Sequence, residues 1–234
     1  MGKTTLSVNL SIALQRRTGK RVALFDADLF CGNVGTYLNL PPVHSIADLT
    51  RVIDELEPDL VDRVLIRHSS GVRVLLSPPR PDQAFEITRE QVSRILQFLA
   101  QHEDYLVVDC LTFVDERILP ILEQADDIVL ITMPEMGSLK NMRTLFDHMV
   151  NIGLDLNKVH IVLNRANSKV AIGAEQIEQA FGRKVEFRLS GGGSAVALSI
   201  NRGVPLVLEQ PSHPLSREIM GMAEYFSQDG HGKK

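Results

Sequence analysis

Short, uninterrupted apolar runs recur along this chain and constrain its fold more than any other feature. They read "RVALFDAD", "GVRVLLSPP", "YLVVDC", "DIVLIT" and "KVHIVLN". Strands that are apolar on both faces have to be covered on both faces, the pattern of parallel sheets rather than half-solvated antiparallel ones. Between these runs lie segments with helical spacing, long enough for the crossovers that parallel strands need. The first is "TTLSVNLSIALQ", with Leu6, Leu10, Ala13 and Leu14 on one face and Gly19 as a stop after two arginines. Helices are predicted near 45–56, capped by Ser45, and from Thr88, which forms a capping box with Gln91. Others are expected over 116–125, 138–152, "GAEQIEQAFG", "SAVALSINRG" and 214–227, with a short strand at "KVEFRL". The fold class is therefore α/β: a doubly wound, mostly parallel sheet with helices on both faces.

In such sheets ligands sit beyond the C-terminal strand ends, which makes the polar residues there informative. Asp26 and Asp28 follow "VALF", Asp109 follows "YLVV", and Asn164 and Arg165 follow "VHIVL". Immediately before the first helix stands "GKTT", which supplies Gly2, Lys3, Thr4 and Thr5. A phosphate loop needs backbone N–H groups, a lysine for the β and γ phosphates and a hydroxyl for magnesium at a helix start. A helix cap would account for the tetrapeptide alone, and a turn for any one aspartate. Three aspartates at strand ends in register with "GKTT" point instead to one phosphate and magnesium site.

These residues, with "VALFDADLFCGNVGTYLNL", "DIVLITMPEMGSLKNMRTL" and "IVLNRA", resemble the deviant-Walker ATPases of the ParA/MinD superfamily, P-loop NTPases of the SIMIBI type. The phrases "LLSPPRPDQAFEITREQV" and "PEMGSLKNMRTLFDHM" are similar to its CpaE/TadZ branch, associated with Tad/Flp-type pilus assembly. The resemblance implies ATP and Mg2+ as ligands and a homodimer closed by nucleotide. Lys3 would contact the β and γ phosphates, with Gly2 and Thr5 completing the phosphate contacts. Thr4 would ligate magnesium, which Asp26 and Asp109 hold through water. Asp28 would orient the attacking water, and Asn164 with Arg165 would read the adenine.

Three departures accompany the resemblance, one of them the triple glycine in "RLSGGGSAVALSINRG" where relatives carry a polar turn. The family's loop begins "KGGxGKT" after a central strand, and neither that first half nor the strand has a counterpart here, so a chain cut within the loop is expected. The second switch reads "DCLTFVD" rather than "DTP". The resemblance implies a slow ATP-hydrolysing switch that places a pilus-secretion apparatus; the alternatives are a nonhydrolytic localisation scaffold and a partition or cell-division positioning ATPase.

Composition narrows the classes further. The 25 Lys and Arg against 29 Asp and Glu give a net charge of −4, no general attraction for DNA. No apolar run approaches membrane-spanning length and no secretory signal opens the sequence, so a cytoplasmic protein is expected, carried by pilus or secretion partners to the inner face of the membrane or the cell pole. Cys31 and Cys110 are expected as buried or half-buried free thiols, and the scattered histidines predict no structural zinc. One ATPase-like domain is expected over 1–228, followed by a flexible tail at 229–234. The apolar face of the last helix, Leu215, Ile219, Met222 and Phe226, is expected to pack on that domain rather than on a membrane.

Overall fold

Helix α1 (Lys3–Thr18) buries Leu6, Leu10, Ile12, Ala13 and Leu14 and ends where Gly19 turns left-handed at φ 66°. A computed structural model of the chain describes residues 2–111, 115–168 and 172–228. The tail expected at 229–234 and Thr112–Val114 of the second-switch segment lie outside the described residues. After α1 the chain runs through β1 (Val22–Asp26), α2 (Val34–Tyr37), α3 (Ile46–Thr50), α4 (Pro58–Val64), β2 (Ile66–Arg67) and β3 (Arg73–Leu75). Next come α5 (Pro81–Ala84), α6 (Arg89–His102), β4 (Tyr105–Asp109), α7 (Leu119–Gln124) and β5 (Ile128–Thr132). The remainder is α8 (Met136–Asn151), β6 (Val159–Asn164), α9 (Ala174–Phe181), β7 (Val185–Leu189), α10 (Gly193–Arg202), α11 (Leu206–Glu209) and α12 (Pro214–Ser227).

Both expected caps form: Ser45 with Asp48, and Thr88 with Gln91, exchange side-chain and backbone hydrogen bonds. The helix expected near 45–56 stops at Thr50. A 3-10 turn follows, and Pro58, whose missing N–H suits a first helical turn, opens α4. The helix expected over 116–125 starts only at Leu119. Asp115 Oδ1 accepts from the N–H groups of Arg117 (2.9 Å) and Ile118 (3.3 Å), holding 115–118 as a turn, and Pro120 sits in the first turn of α7.

The strands form two sheets, ordered β2-β3-β1-β4 and β5-β6-β7. Every pairing is parallel except that of β2 with β3, a short hairpin turning at Gly71 (φ 93°). Side chains alternate between two apolar layers, each continuous across both sheets. Phe25, Leu75 and Ile161 pack with Leu99, Met142 and Ile177 of the helices on one face. Leu24, Val74 and Val162 pack with Leu10, Leu206 and Ile219 on the other. The expected doubly wound α/β arrangement is thus present. Leu215, Ile219 and Met222 of α12 are buried in that second layer, and Arg17 pairs with Glu224 across the contact with α1. No helix among the described residues is long and apolar enough to cross a membrane.

His160 on β6 anchors one end of the three-stranded sheet. Its Nε2 lies 2.7 Å from Asp127 and its Nδ1 2.6 Å from Glu186, with Tyr225 and Phe226 of α12 edge-on to the ring. Burial alone would lower its pKa, but the two carboxylates outweigh it and hold the imidazolium above its ordinary value. A raised folded pKa gives stabilisation that is full below the unfolded value of about 6.5 and lost as pH rises through the folded one. Denaturant titrations should show His160→Gln losing most stability at pH 5–6 and little at pH 9; an equal loss at both would refute the imidazolium.

Candidate functional site

The site begins with backbone geometry. Gly2 is the N-cap of α1 in the left-handed region, φ 93°, and makes no side-chain cap, so the first N–H groups of α1 have no partner inside the helix. A Cβ on Gly2 would stand 2.7 Å from Nδ2 of Asn164, so both conformation and space require glycine. Asn164, at the end of β6, spends its Oδ1 on the N–H of Arg165 (2.9 Å), and Arg165 is itself left-handed at φ 55°. Gly2, Asn164 and Arg165 are thereby brought together at the start of α1.

Beside them, β1 and β4 end in register, Asp26 against Asp109, with the Ala27 N–H donating to the Asp109 carbonyl at 2.9 Å. Both carboxylates are buried, at 1% and 3% exposure. Ser7, one turn beyond Lys3, donates to Asp109 Oδ1 at 3.0 Å, and the Thr4 hydroxyl also bonds this carboxylate. Burial pushes Asp109 above the ordinary carboxylate range. The hydroxyls of Thr4 and Ser7 and the charge of Lys3 act against that, and Asp28 adds to it.

Asp26 is more deeply perturbed. Its Oδ2 accepts from the Val34 N–H (3.0 Å) and its Oδ1 from the Asp28 N–H (3.3 Å), with the Ser77 hydroxyl at 3.5 Å. Its pKa is nevertheless pushed up to about 7, by burial first and then by the neighbouring charges of Asp109 and Asp28, which those backbone donors offset in part. Gly32 closes over it so tightly that a Cβ there would meet Asp26 Oδ2 at 2.4 Å.

Asp28 and Thr5 also make local contacts of their own. Asp28 is half-buried and its Oδ1 accepts from the Cys31 N–H at 2.9 Å, so one oxygen serves its own turn. The Thr5 carbonyl accepts from Asn9 Nδ2 at 2.7 Å, whose Oδ1 in turn takes the buried Val207 N–H; this ties α1 to α11. Cys31, expected buried or half-buried, is exposed because it lies on the turn that Asp28 caps; Cys110 is half-buried. Ser7, Ser77 and Gly32 were not legible as site residues. Of these only Ser7 carried a signal, its four-residue spacing from Lys3 on one helix face.

Lys3 thus acts on Asp109, and Asp26 and Asp28 stand as neighbouring charges beside it, Asp26 and Asp109 both buried and both shifted upward. That donor set fits a hydrated divalent cation shared with phosphate, since magnesium keeps several waters and takes only one or two carboxylates. Among the described residues no three His, Cys, Asp or Glu side chains form a metal cage by themselves.

A parallel α/β sheet that gathers a glycine-opened helix start, a lysine, two hydroxyls and buried strand-end carboxylates at one edge defines a nucleotide-binding class of protein. The family model for the CobQ/CobB/MinD/ParA nucleotide binding domain matches residues 1–188. The chain belongs to this family, of ParA/MinD-type ATPases. It is similar to the septum site-determining protein MinD of Synechocystis sp., 24% identical over 218 residues, 90% of this chain and 79% of that protein. Among solved structures it is similar to a ParA family ATPase from Chlorobium tepidum, TM-score 0.91, 25% identical, covering 96% of this chain and 94% of that one. The MinD of Pyrococcus horikoshii, complexed with Mg-ADP, shares the fold at TM-score 0.82 and 19% identity, covering 97% of this chain and 91% of that one.

Proposed function

We propose that this chain binds ATP with Mg2+ at the α1 start and uses the bound state as a homodimerisation switch that positions a cellular assembly. The observation that carries this reading is the buried Asp26–Asp109 pair, tied through Thr4 and Ser7 to the same helical turn as Lys3. In it Lys3 holds the β and γ phosphates, and Gly2 and Thr5 lend backbone N–H groups to the phosphates. Thr4, Asp26 and Asp109 would hold the cation. Asn164 and Arg165 take the adenine, whose edge an amide can match as donor and acceptor in one plane. Bound magnesium would supply charge neutralisation at the phosphates. Asp28 orients the water that attacks the γ phosphate.

The relatives favour positioning of the septum-site or partition kind over a pilus-specific role; the pilus apparatus is the narrower form of the proposal and rests on the sequence phrases alone. Calorimetric titration tests the site. Removing a charged hydrogen-bond donor costs about 1.5–3 kcal/mol, so Lys3→Ala should weaken ATP binding roughly 10- to 100-fold. Parent-like affinity would remove Lys3 from the phosphate contact.

A second reading, a scaffold that binds nucleotide without hydrolysing it, is favoured by the commitment of Asp28 Oδ1 to the Cys31 N–H. Phosphate release by the parent above that of Asp28→Ala rejects the scaffold; equal release rejects Asp28 as the water-positioning group.

A further inference from the structure

Strands β1 and β4 part where they end. Past the bond from the Ala27 N–H to Asp109, one segment enters the turn that carries Asp28 and Phe30, and the other reaches the turn at 115–118. Close packing does not rejoin them, since a void of about 10 Å³, room for about one water, remains between Leu29, Phe30, Arg117 and Ile118. Arg117 spans the gap. Its guanidinium carbon stands 4.9 Å from the centre of the Phe30 ring, and its Nη1 donates to the Ala84 carbonyl at the end of α5 at 2.7 Å. Its Nε donates to Asp115 Oδ2 at 2.9 Å, its Nη2 bonds the same oxygen, and its backbone N–H donates to Asp115 Oδ1. The neighbouring carboxylate thus fixes the fork, whose remaining edge and face go to two distant segments. At 15% exposure the side chain is largely out of water, where a cation over a ring and a charged hydrogen bond both gain strength. Phe85, directly after α5, completes the cluster edge-on to Phe30 at 5.1 Å. It is 77% exposed, so its own burial does not account for its place; what it covers is Phe30.

We propose that Arg117 is a positioning residue for Asp28, holding through Phe30 the turn from which that carboxylate acts. An arginine suits the place. Its plane offers donors to Asp115 and Ala84 while its face covers Phe30, whereas a lysine ammonium is a compact point charge that cannot do both. With Oδ1 given to the Cys31 N–H, the Asp28 carboxylate turns with the backbone of 28–31. The Asp28 N–H reaches Asp26 at 3.3 Å, longer than an ordinary N–H···O bond, so that tie by itself holds the turn loosely. The stack of Phe30 between Arg117 and Phe85 supplies a second, side-chain hold two residues further on. The role of Asp28 rests on the nucleotide reading, but the state of its turn is measured without nucleotide.

Two conservative variants of the full chain test it. Arg117→Lys keeps the charge and loses the fork, and Phe30→Leu keeps apolar bulk and loses the ring face. In either variant, amide hydrogen exchange over 28–31 should quicken about fivefold or more while that of β1 and β6 changes little. A general loss of stability would instead quicken exchange in those core strands, which open only with the whole fold. With ATP, Arg117→Lys should lower kcat about 10- to 100-fold at unchanged KM. In the Asp28→Ala background it should lower kcat no further, because it acts through Asp28. Unchanged exchange over 28–31 would overturn the proposal, and so would equal slowing with and without Asp28. Equal phosphate release by the parent and Asp28→Ala would sink the water-orienting reading instead, and exchange would then decide whether Arg117 holds the turn.

Discussion

Asp26→Asn raises the melting temperature at pH 8 and leaves it nearly unchanged at pH 4. In the unfolded chain this carboxyl ionises near its ordinary value of 3.8, and in the fold near 7. Between those values the folded protein keeps a proton that the unfolded chain has released, so stability falls as pH climbs through this window and the deficit is complete above it. The gap of roughly three pKa units corresponds to at most about 4 kcal/mol, or roughly 8–16 °C for a chain of this size. Like the protonated carboxyl, an asparagine has one carbonyl oxygen, which at the Oδ2 position accepts from the Val34 N–H and the Ser77 hydroxyl. Its amide replaces Oδ1 beside the Asp28 N–H, so the charge goes with little change of shape and only the 3.3 Å bond is given up. Thermal melts of both proteins from pH 4 to 8 decide the matter, and a constant offset across that range would mean that Asp26 is ionised throughout. The same proton gives a second readout of the site. If Mg2+ and nucleotide bind beside Asp26, the parent releases about half a proton more at pH 7 than Asp26→Asn does, as calorimetry in buffers of different ionisation enthalpy would register.

Gly32→Ala should cost about 2–3 kcal/mol and disable nucleotide binding as well. The added Cβ would lie 2.1 Å from Ser77 Oγ and 2.4 Å from Asp26 Oδ2. Ser77 can rotate away. The Asp26 carboxylate cannot move without giving up the Val34 N–H, which is buried with it. The Gly32→Ala, Ser77→Gly double variant should therefore recover only part of the loss. Gly137→Ala is the control: that glycine is exposed in α8 with nothing within 4 Å of its Cβ position, so alanine there should stabilise the helix by about 0.5–1 kcal/mol. Melting curves that lower Gly32→Ala no more than the control would show that the loop over Asp26 yields freely.

How much of this was legible depended on the range of the interaction. Helix α1 and its glycine stop, the Ser45 cap, the Thr88–Gln91 capping box and the apolar strands are written in neighbouring residues, and local pattern reads them directly. The break between α3 and α4 and the late start of α7 were less visible, because Pro58, Asp115 and Pro120 compete locally with an apolar pattern that would otherwise continue the helix. The strand-end acids stood out in the sequence, since a carboxylate closing an apolar run has few other places to go.

What the sequence determined by itself is the class of fold and the edge at which Lys3, Thr4, Asp26, Asp28, Asp109 and Asn164 gather. Only the tertiary structure decided how those residues meet. Ser7 reaches Asp109 across 102 positions and Ser77 reaches Asp26 across 51, and no local propensity encodes such pairs. The division of the sheet between β4 and β5 is of the same kind. Each strand's apolar run states that it will be covered, but which neighbour supplies its hydrogen bonds depends on packing of the whole layer.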